Sequence, residues 1–228
     1  MHILLTRPLE DCAEMILKFK SLGHQVSHLP LLQIEKVDYK KIYFLNYKAI
    51  IFTSANAIKF IDIKQIDKKI LCFCVGNATE LKARGLGFQN VIAAEGNVSN
   101  LKELILQNFK PQIGKLIYVS GETITFDLDI QLAKEGYNIE RTISYRAVHN
   151  EKFDETFVEK LKNNMPDMVY VYSQNSALSF LKFIKIYQSE NLWINTNLMC
   201  IGEKTSAILN EIKWKKIFLF NPGEEEFL

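Results

Sequence analysis

The stretch "IIFTSANAIKF" (residues 50–60) runs from an unbroken apolar segment, through Thr53 and Ser54, into a spacing that suits a helix. About half a chain later "VYVYSQNSALSFL" (residues 169–181) repeats that sequence of events. A short continuous apolar run bounded by turn residues reads as a strand buried on both faces. Parallel sheets covered by helices on both sides bury strands in this way. A chain that twice builds strand, small polar turn and helix is therefore constrained to alternating β–α units whose turns share one sheet edge.

The alternation extends along the chain. "HILLT" (2–6) leads into a helical pattern with apolar residues at Cys12, Ala13, Ile16, Leu17, Phe19 and Leu22, stopped by Gly23. "QVSHLPLLQIEKV" is extended and restricted by Pro30. "KAIIFTS", "ILCFCV" and "NVIAA" read as strands, "ANAIKFIDI" and "NATELKARG" as helices, and "NVSNLKELILQNF" as a helix capped around Ser99. At Gly114 the plan restarts with "KLIYVSGE", followed by "MVYVYSQNSALSFL" and "LMCIGEKTSAIL". Gly23 and Gly136 lie 113 apart, Ser54 and Ser173 119 apart, and the pairs Gly76/Gly202 and Thr79/Thr205 both 126 apart. The offset drifts only across connections, as expected of a duplicated α/β unit with loop insertions. No low-complexity linker separates the copies. Two similar lobes facing one another, with a ligand cleft between them, are the architecture this pattern predicts.

Charge and cysteine usage narrow the function. The 28 basic residues are nearly cancelled by 26 acidic ones, for a net charge of +2. That balance argues against nucleic acid or a membrane surface as partner. Cys12, Cys72, Cys74 and Cys200 lack CxxC spacing, and His2, His24, His28 and His149 do not cluster, so no metal site is expected. Cys72 and Cys74 read as buried strand residues, and the cysteine usage as that of a reducing, cytoplasmic compartment. "MHILLTRPLED" is too short in apolar residues for a signal peptide, and no segment reaches membrane-spanning length.

In a parallel α/β sheet, ligands meet the carboxyl ends of the strands. Small polar residues gather in those turns here: Thr6 with Arg7, then Ser54, Ala55 and Asn56, then Gly76 to Thr79. Ser120, Gly121 and Glu122 follow, then Ser173, Gln174, Asn175 and Ser176, and finally Gly202 to Thr205. Free N–H groups and partial positive charge at helix starts attract carboxylates or phosphates. Each turn taken singly is also explained as a helix cap. Concentrated on one edge, they point to anion binding. The GxGxxG fingerprint, the Walker loop and the GxSxG elbow are absent, and "RGLGF" reads as a helix stop. No histidine falls in a strand-to-helix turn, so a Ser/His/Asp set is not expected. What is left is a cofactor-free site of backbone donors, hydroxyls and an aromatic or two. Tyr145, in "TISYRAV", lies on the extended segment that should link the lobes, although packing alone also accounts for a tyrosine there.

These residues carry a resemblance to the uroporphyrinogen-III synthase family that covers nearly the whole chain. The matching elements are "TRP" after the first strand, the "LG…V…PLLQIE" crossover, "IIFTSANAI", "VGNATELKARG" and "EGNVSNLKELI". "EGY…ISYRAV", "VYSQNSALSF" and "IGEKTSAIL" complete the set. The resemblance implies an α/β fold of two similar lobes of parallel sheet flanked by helices, joined by a two-stranded extended linker, with a cleft between them. It further implies that the lobes are not the sequence halves: one takes residues 1–31 with 149–228, the other 32–148. The crossover strands fall near Leu29–Val37 and Thr142–Asn150, which would set Tyr145 at the cleft.

The activity implied is that of a cofactor-independent hydro-lyase, a cytoplasmic monomer acting on a polycarboxylate tetrapyrrole. Hydroxymethylbilane is closed to uroporphyrinogen III with inversion of ring D and loss of water. Its eight carboxylates suit Arg7, Ser54, Ala55, Asn56, Gly76, Thr79, Ser120, Gly121, Glu122, Ser173, Gln174, Asn175 and Thr205 as binding residues. Tyr145 is the residue implied to assist departure of the hydroxyl, because a phenol with pKa of about 10 stays protonated and can donate a hydrogen bond. A transient contact with the enzyme supplying the bilane is a further implied partner. Two features depart from the family pattern: Glu203 puts a carboxylate beside an anion-facing turn, and "NPGEEEFL" ends where the family continues into a final helix. The departures leave open a non-catalytic module of the same fold that binds an anion; a flavodoxin-like protein or phosphate-binding enzyme is a separate and weaker alternative.

Overall fold

Met1–Gln33 and the chain from Val148 onward form one compact unit, and Ile34–Ala147 form a second. The computed structural model describes residues 1–220. The closing "NPGEEEFL", where the family pattern calls for a helix, lies outside those residues. In chain order the elements are β1 (His2–Leu5), α1 (Leu9–Ser21), β2 (Gln25–His28) and β3 (Leu32–Lys36). Then come β4 (Ala49–Phe52), α2 (Ala55–Lys59), β5 (Leu71–Val75), α3 (Asn77–Gly85), β6 (Asn90–Ala94) and α4 (Val98–Asn108). β7 (Leu116–Gly121), α5 (Leu128–Lys134), β8 (Ile139–His149), α6 (Glu155–Asn163) and β9 (Met168–Val171) follow. α7 (Gln174–Ile186), β10 (Asn197–Ile201), α8 (Glu203–Ile208) and β11 (Lys216–Phe220) complete the described chain.

Among the described residues the strands form two sheets, one in the order β11-β10-β9-β1-β2 and the other β3-β8-β7-β4-β5-β6. The core pairings β1–β9, β9–β10, β4–β7, β4–β5 and β7–β8 are all parallel. β3 runs antiparallel to β8, since Val37 N–H donates to Ser144 while Asn150 N–H donates to Leu31. Leu4, Ile50, Ile51, Phe52, Phe73, Ile117 and Val169 are fully buried, as two-sided helical cover requires. Each large apolar cluster is drawn from one unit. In the first, Phe180 packs edge-on against Trp193 at 4.9 Å, among Leu4, Val169 and Leu198. In the second, Phe52, Ile50 and Val119 share one sheet face with Cys72 and Cys74, while Ile51, Phe73 and Tyr118 share the other.

Two expectations need correction, and the repeat needs one qualification. Its seam at Gly114 is not a boundary, as the family resemblance implies: β7, just beyond it, is flanked by β8 and β4 inside the second unit's sheet. Internal similarity reports the type of each element, whereas its neighbours are set by which strands can bury their faces together. The helix in "ANAIKFIDI" is only five residues long. Tyr39 ends it, its hydroxyl donating to the Phe60 carbonyl and accepting from Asp62 N–H, so backbone groups that a longer helix would pair are already satisfied. α4 is capped by Asn97, not Ser99; Asn97 Oδ1 accepts from Ser99 and Asn100 N–H at 2.8 and 3.2 Å, and Asn100 returns a bond to Asn97 N–H.

Candidate active site

β8 owes its direction to an irregularity. Tyr118, Val119 and Ser120 of β7 pair with Arg141, Thr142 and Ile143 in step, but the next residue, Gly121, pairs with Tyr145. Ser144 is the extra residue. It is fully buried, and its hydroxyl donates to the Ala57 carbonyl in α2 at 3.2 Å. Because side chains alternate along a strand, skipping one residue turns Tyr145 away from the face of Arg141 and Ile143. The ring packs instead on the sheet face that carries Val119 and Phe52. A glycine is required opposite it, since a Cβ at Gly121 would stand 2.7 Å from Tyr145 Cζ and 3.0 Å from its Oη.

A pocket of about 160 Å³ opens beside that pair, on the carboxyl edge of the second unit's sheet. Thr53 and Ser54 line it from the end of β4, Tyr118 and Gly121 from β7, and Tyr145 from β8. Val98 and the loop Thr123–Phe126 complete the lining. Thr53 Oγ1 lies 3.0 Å from Tyr118 Oη. Burial pushes the Tyr118 phenol above its ordinary pKa, against the opposing pull of the Thr53 hydrogen bond and the Arg141 charge, so it stays protonated. The lining is rich in hydroxyls and, among the described residues, carries no charged side chain. Such a surface donates hydrogen bonds to a hydroxyl or carboxylate without bringing a fixed countercharge into contact.

The other expected residues of this unit behave differently from one another. Ser54 caps α2, its Oγ accepting from Asn56 N–H at 3.2 Å, and Ala55 and Asn56 form that helix's first turn. Ser120 is buried with its hydroxyl engaged by Arg141 and the Gly121 carbonyl, and the exposed Glu122 uses its backbone on Arg141 and Tyr145. Gly76 and Thr79 follow β5, one strand beyond β4, and do not line the pocket. Thr53, Tyr118, Thr123 and Thr125 were not anticipated. The hydroxyl-rich "GETITF" was a visible cue for Thr123 and Thr125, as "IIFTS" was for Thr53; Tyr118 reads from sequence as an ordinary core strand residue.

In the first unit, Arg7, Ser173 and Thr205 follow the neighbouring strands β1, β9 and β10. The Arg7 guanidinium lies 4.7 Å from the centre of the Tyr172 ring, and its carbonyl accepts a 2.7 Å hydrogen bond from His28 Nε2. Thr6 Oγ1 donates to the Tyr170 carbonyl at 2.6 Å, tying β1 to β9 beneath Arg7. Ser173 caps α7, accepting from Ser176 N–H at 3.0 Å, with Gln174 and Asn175 as the first turn. The repeat is sharpest at Gly76 and Gly202, which start α3 and α8 with φ of 75° and 72° and ψ of 155° and 164°. That backbone region is essentially restricted to glycine. Thr79 and Thr205, three residues on, are both buried. Glu203, the departure noted from sequence, is exposed in the first turn of α8. Among the described residues no group of His, Cys, Asp and Glu is placed to hold a metal, and no helix is long and apolar enough to cross a membrane.

A family model described as uroporphyrinogen-III synthase HemD matches residues 13–219. No curated protein sequence matches the chain. Among solved structures, uroporphyrinogen-III synthetase from Helicobacter pylori 26695 superimposes with a TM-score of 0.66 at 16% identity, over 98% of this chain and 94% of that one. A mutant uroporphyrinogen III synthase from the extreme thermophile Thermus thermophilus gives 0.55 at 15% identity, over 95% of this chain and 92% of that one. At such identities the structural likeness is one of fold.

Proposed function

The chain belongs to the uroporphyrinogen-III synthase family, and from that premise we propose how its residues carry the family's reaction. The enzyme is a hydro-lyase that closes the linear tetrapyrrole hydroxymethylbilane to uroporphyrinogen III, inverting ring D with loss of water. In our reading the ring A C–O bond breaks as Tyr145 donates a hydrogen bond to the departing oxygen. The substituted carbon of ring D attacks the electrophilic azafulvene left behind, and the spirocyclic intermediate fragments and recloses with that ring inverted, losing the proton from the carbon that closes the macrocycle. Since free bilane closes without inversion, the protein's task is to hold a conformation and stabilise charge as it develops.

The observation that carries this reading is the placement of Tyr145: a ring turned by a strand bulge, seated on a glycine, in a pocket of hydroxyls. We assign Ser54, Ala55, Asn56, Gly121, Thr53, Thr123 and Thr125 to substrate binding in one unit, and Arg7, Ser173, Gln174, Asn175 and Thr205 in the other. Gly76 and Thr79 belong to the same edge as a neighbouring turn, and Ser120 and Glu122 contribute by shaping the pocket. Buried, unpaired Cys12, Cys72, Cys74 and Cys200 support a reducing compartment, which we take to be the cytoplasm, with the protein acting as a monomer. The dispersed lysines and a net charge of +2 favour no nucleic-acid partner. A substrate that closes unaided also favours direct hand-over from the enzyme that makes it.

Purified protein given hydroxymethylbilane should yield isomer III. Isomer I alone, at the rate without protein, would remove the assignment. Tyr145→Phe should lower turnover several-fold or more with the melting temperature unchanged; an unchanged rate would remove the hydrogen-bond role.

A further inference from the structure

We infer that Arg141 is a positioning residue for Tyr145. The inference rests on the reading of Tyr145 as the group that assists the leaving hydroxyl. Arg141 stands opposite Tyr118 in the β7–β8 register, three pairs before the bulged Gly121–Tyr145 pair. Its Nε donates to Ser120 Oγ at 2.8 Å, and its Nη2 donates to the carbonyls of Gly121 and Glu122 at 2.9 and 3.0 Å. Ser120 Oγ in turn donates a hydrogen bond to the Gly121 carbonyl at 3.0 Å. One guanidinium therefore gathers three successive residues of the strand end. Among the described residues its donors go to these oxygens and to no carboxylate.

The segment so gathered is the one that touches Tyr145 twice. Gly121 is the floor under the ring, with no room for a Cβ, and Glu122 N–H donates to the Tyr145 carbonyl at 2.9 Å. A strand end normally frays, and here it would carry the floor of the pocket with it. The planar fork of arginine suits the task, because five donors in fixed geometry reach several acceptors at once while an ammonium acts as a single point. Arg141 does not line the pocket; it acts through the β7 end. A displacement of the order of an ångström at a reacting group is enough to cost turnover heavily.

The test is a cycle of Arg141→Gln, Tyr145→Phe and the double variant, with turnover and KM measured for each. Arg141→Gln should lower kcat several-fold, by no more than Tyr145→Phe does, with KM changed far less, and the double variant should be no slower than Tyr145→Phe alone. Multiplied losses in the double variant would overturn the inference, because Arg141 would then act independently of the ring. Arg141→Lys should lie between wild type and Arg141→Gln, and it carries the same cycle if the glutamine variant fails to fold. Fluorotyrosine-labelled protein supplies a readout free of the reaction. The Tyr145 resonance, identified by its loss in Tyr145→Phe, should shift in Arg141→Gln while that of Tyr187 in the first unit stays. An unmoved Tyr145 resonance overturns the positioning role. Failure of the wild-type protein to form isomer III would instead count against the functional reading, and the resonance test would still stand.

Discussion

A phenol, a carboxylate and an ammonium meet on the second unit, away from the proposed site. Tyr47 Oη donates to Glu140 Oε2 at 2.7 Å, and Lys115 Nζ donates to the same oxygen at 2.6 Å. The hydrogen bond from Lys115, then that from Tyr47, holds the Glu140 carboxyl below the usual carboxylate range. Burial first, then the bond to Glu140, pushes the Tyr47 phenol up to about 12. The depressed Glu140 contributes stability at pH values above its unfolded pKa and loses it as pH falls through the folded one. The raised Tyr47 contributes below the unfolded tyrosine value of about 10 and loses it as pH rises toward its folded one. Glu140→Gln should therefore flatten the acid limb of the stability curve, and an ultraviolet titration should find buried tyrosines, Tyr118 and Tyr137 as well as Tyr47, ionising after the exposed ones, with one fewer in the late phase of Tyr47→Phe. At the site itself, Gly121→Ala should displace the Tyr145 ring and lower turnover at least as much as Tyr145→Phe, with the melting temperature also reduced. Tyr145 was singled out in "TISYRAV" through the family pattern, and it lines the pocket. That Gly121 supports it was not legible, because contact across a bulge depends on register, which local sequence does not encode.

Elements were more legible than contacts. Apolar spacing alone located α1, α3, α4 and α7, and Ser54 and Ser173 cap the helices that follow them, as small polar residues at such turns should. The shortened α2 was illegible because the group that ends it, Tyr39, is far away in sequence. α6 is anchored by Asp154, whose carboxylate accepts from Phe157 N–H at 2.6 Å, and by Val158 and Leu161 turned into the core. Phe157, Val158 and Leu161 recur at helical spacing, so this helix too was legible in the sequence. At the start of α4 both halves of a capping box are made by asparagines, so Asn97→Ala should cost about 1 kcal/mol, read as a shift in urea midpoint at constant slope. Ser99→Ala, at a position that caps nothing, should shift it far less.

At the scale of the molecule, the apolar clusters are separate, each drawn from one of the two units. Phe180→Ala, which removes the ring packed on Trp193, should cost roughly 3–5 kcal/mol. Its effect on amide exchange should be confined to β1, β9, β10 and α7, with β4, β5 and β7 protected as before. Uniform loss of protection would mean that the two cores melt as one.

What the sequence determined by itself was the kind of element at each place and the edge on which the polar turns fall. Both follow from local physics: periodicity, chain-breaking residues and helix caps act over a few residues. The repeated Gly76 and Gly202, with their near-identical backbone angles, show how completely a local constraint can be read. Only the tertiary structure decided that β7 lies between β4 and β8, that Ser144 is skipped, and that Arg141 reaches the end of β7. Strand order and register depend on which buried faces fit together across distant parts of the chain, and a one-residue change of register turns every later side chain to the other face. The placement of Tyr145 rests on such a change.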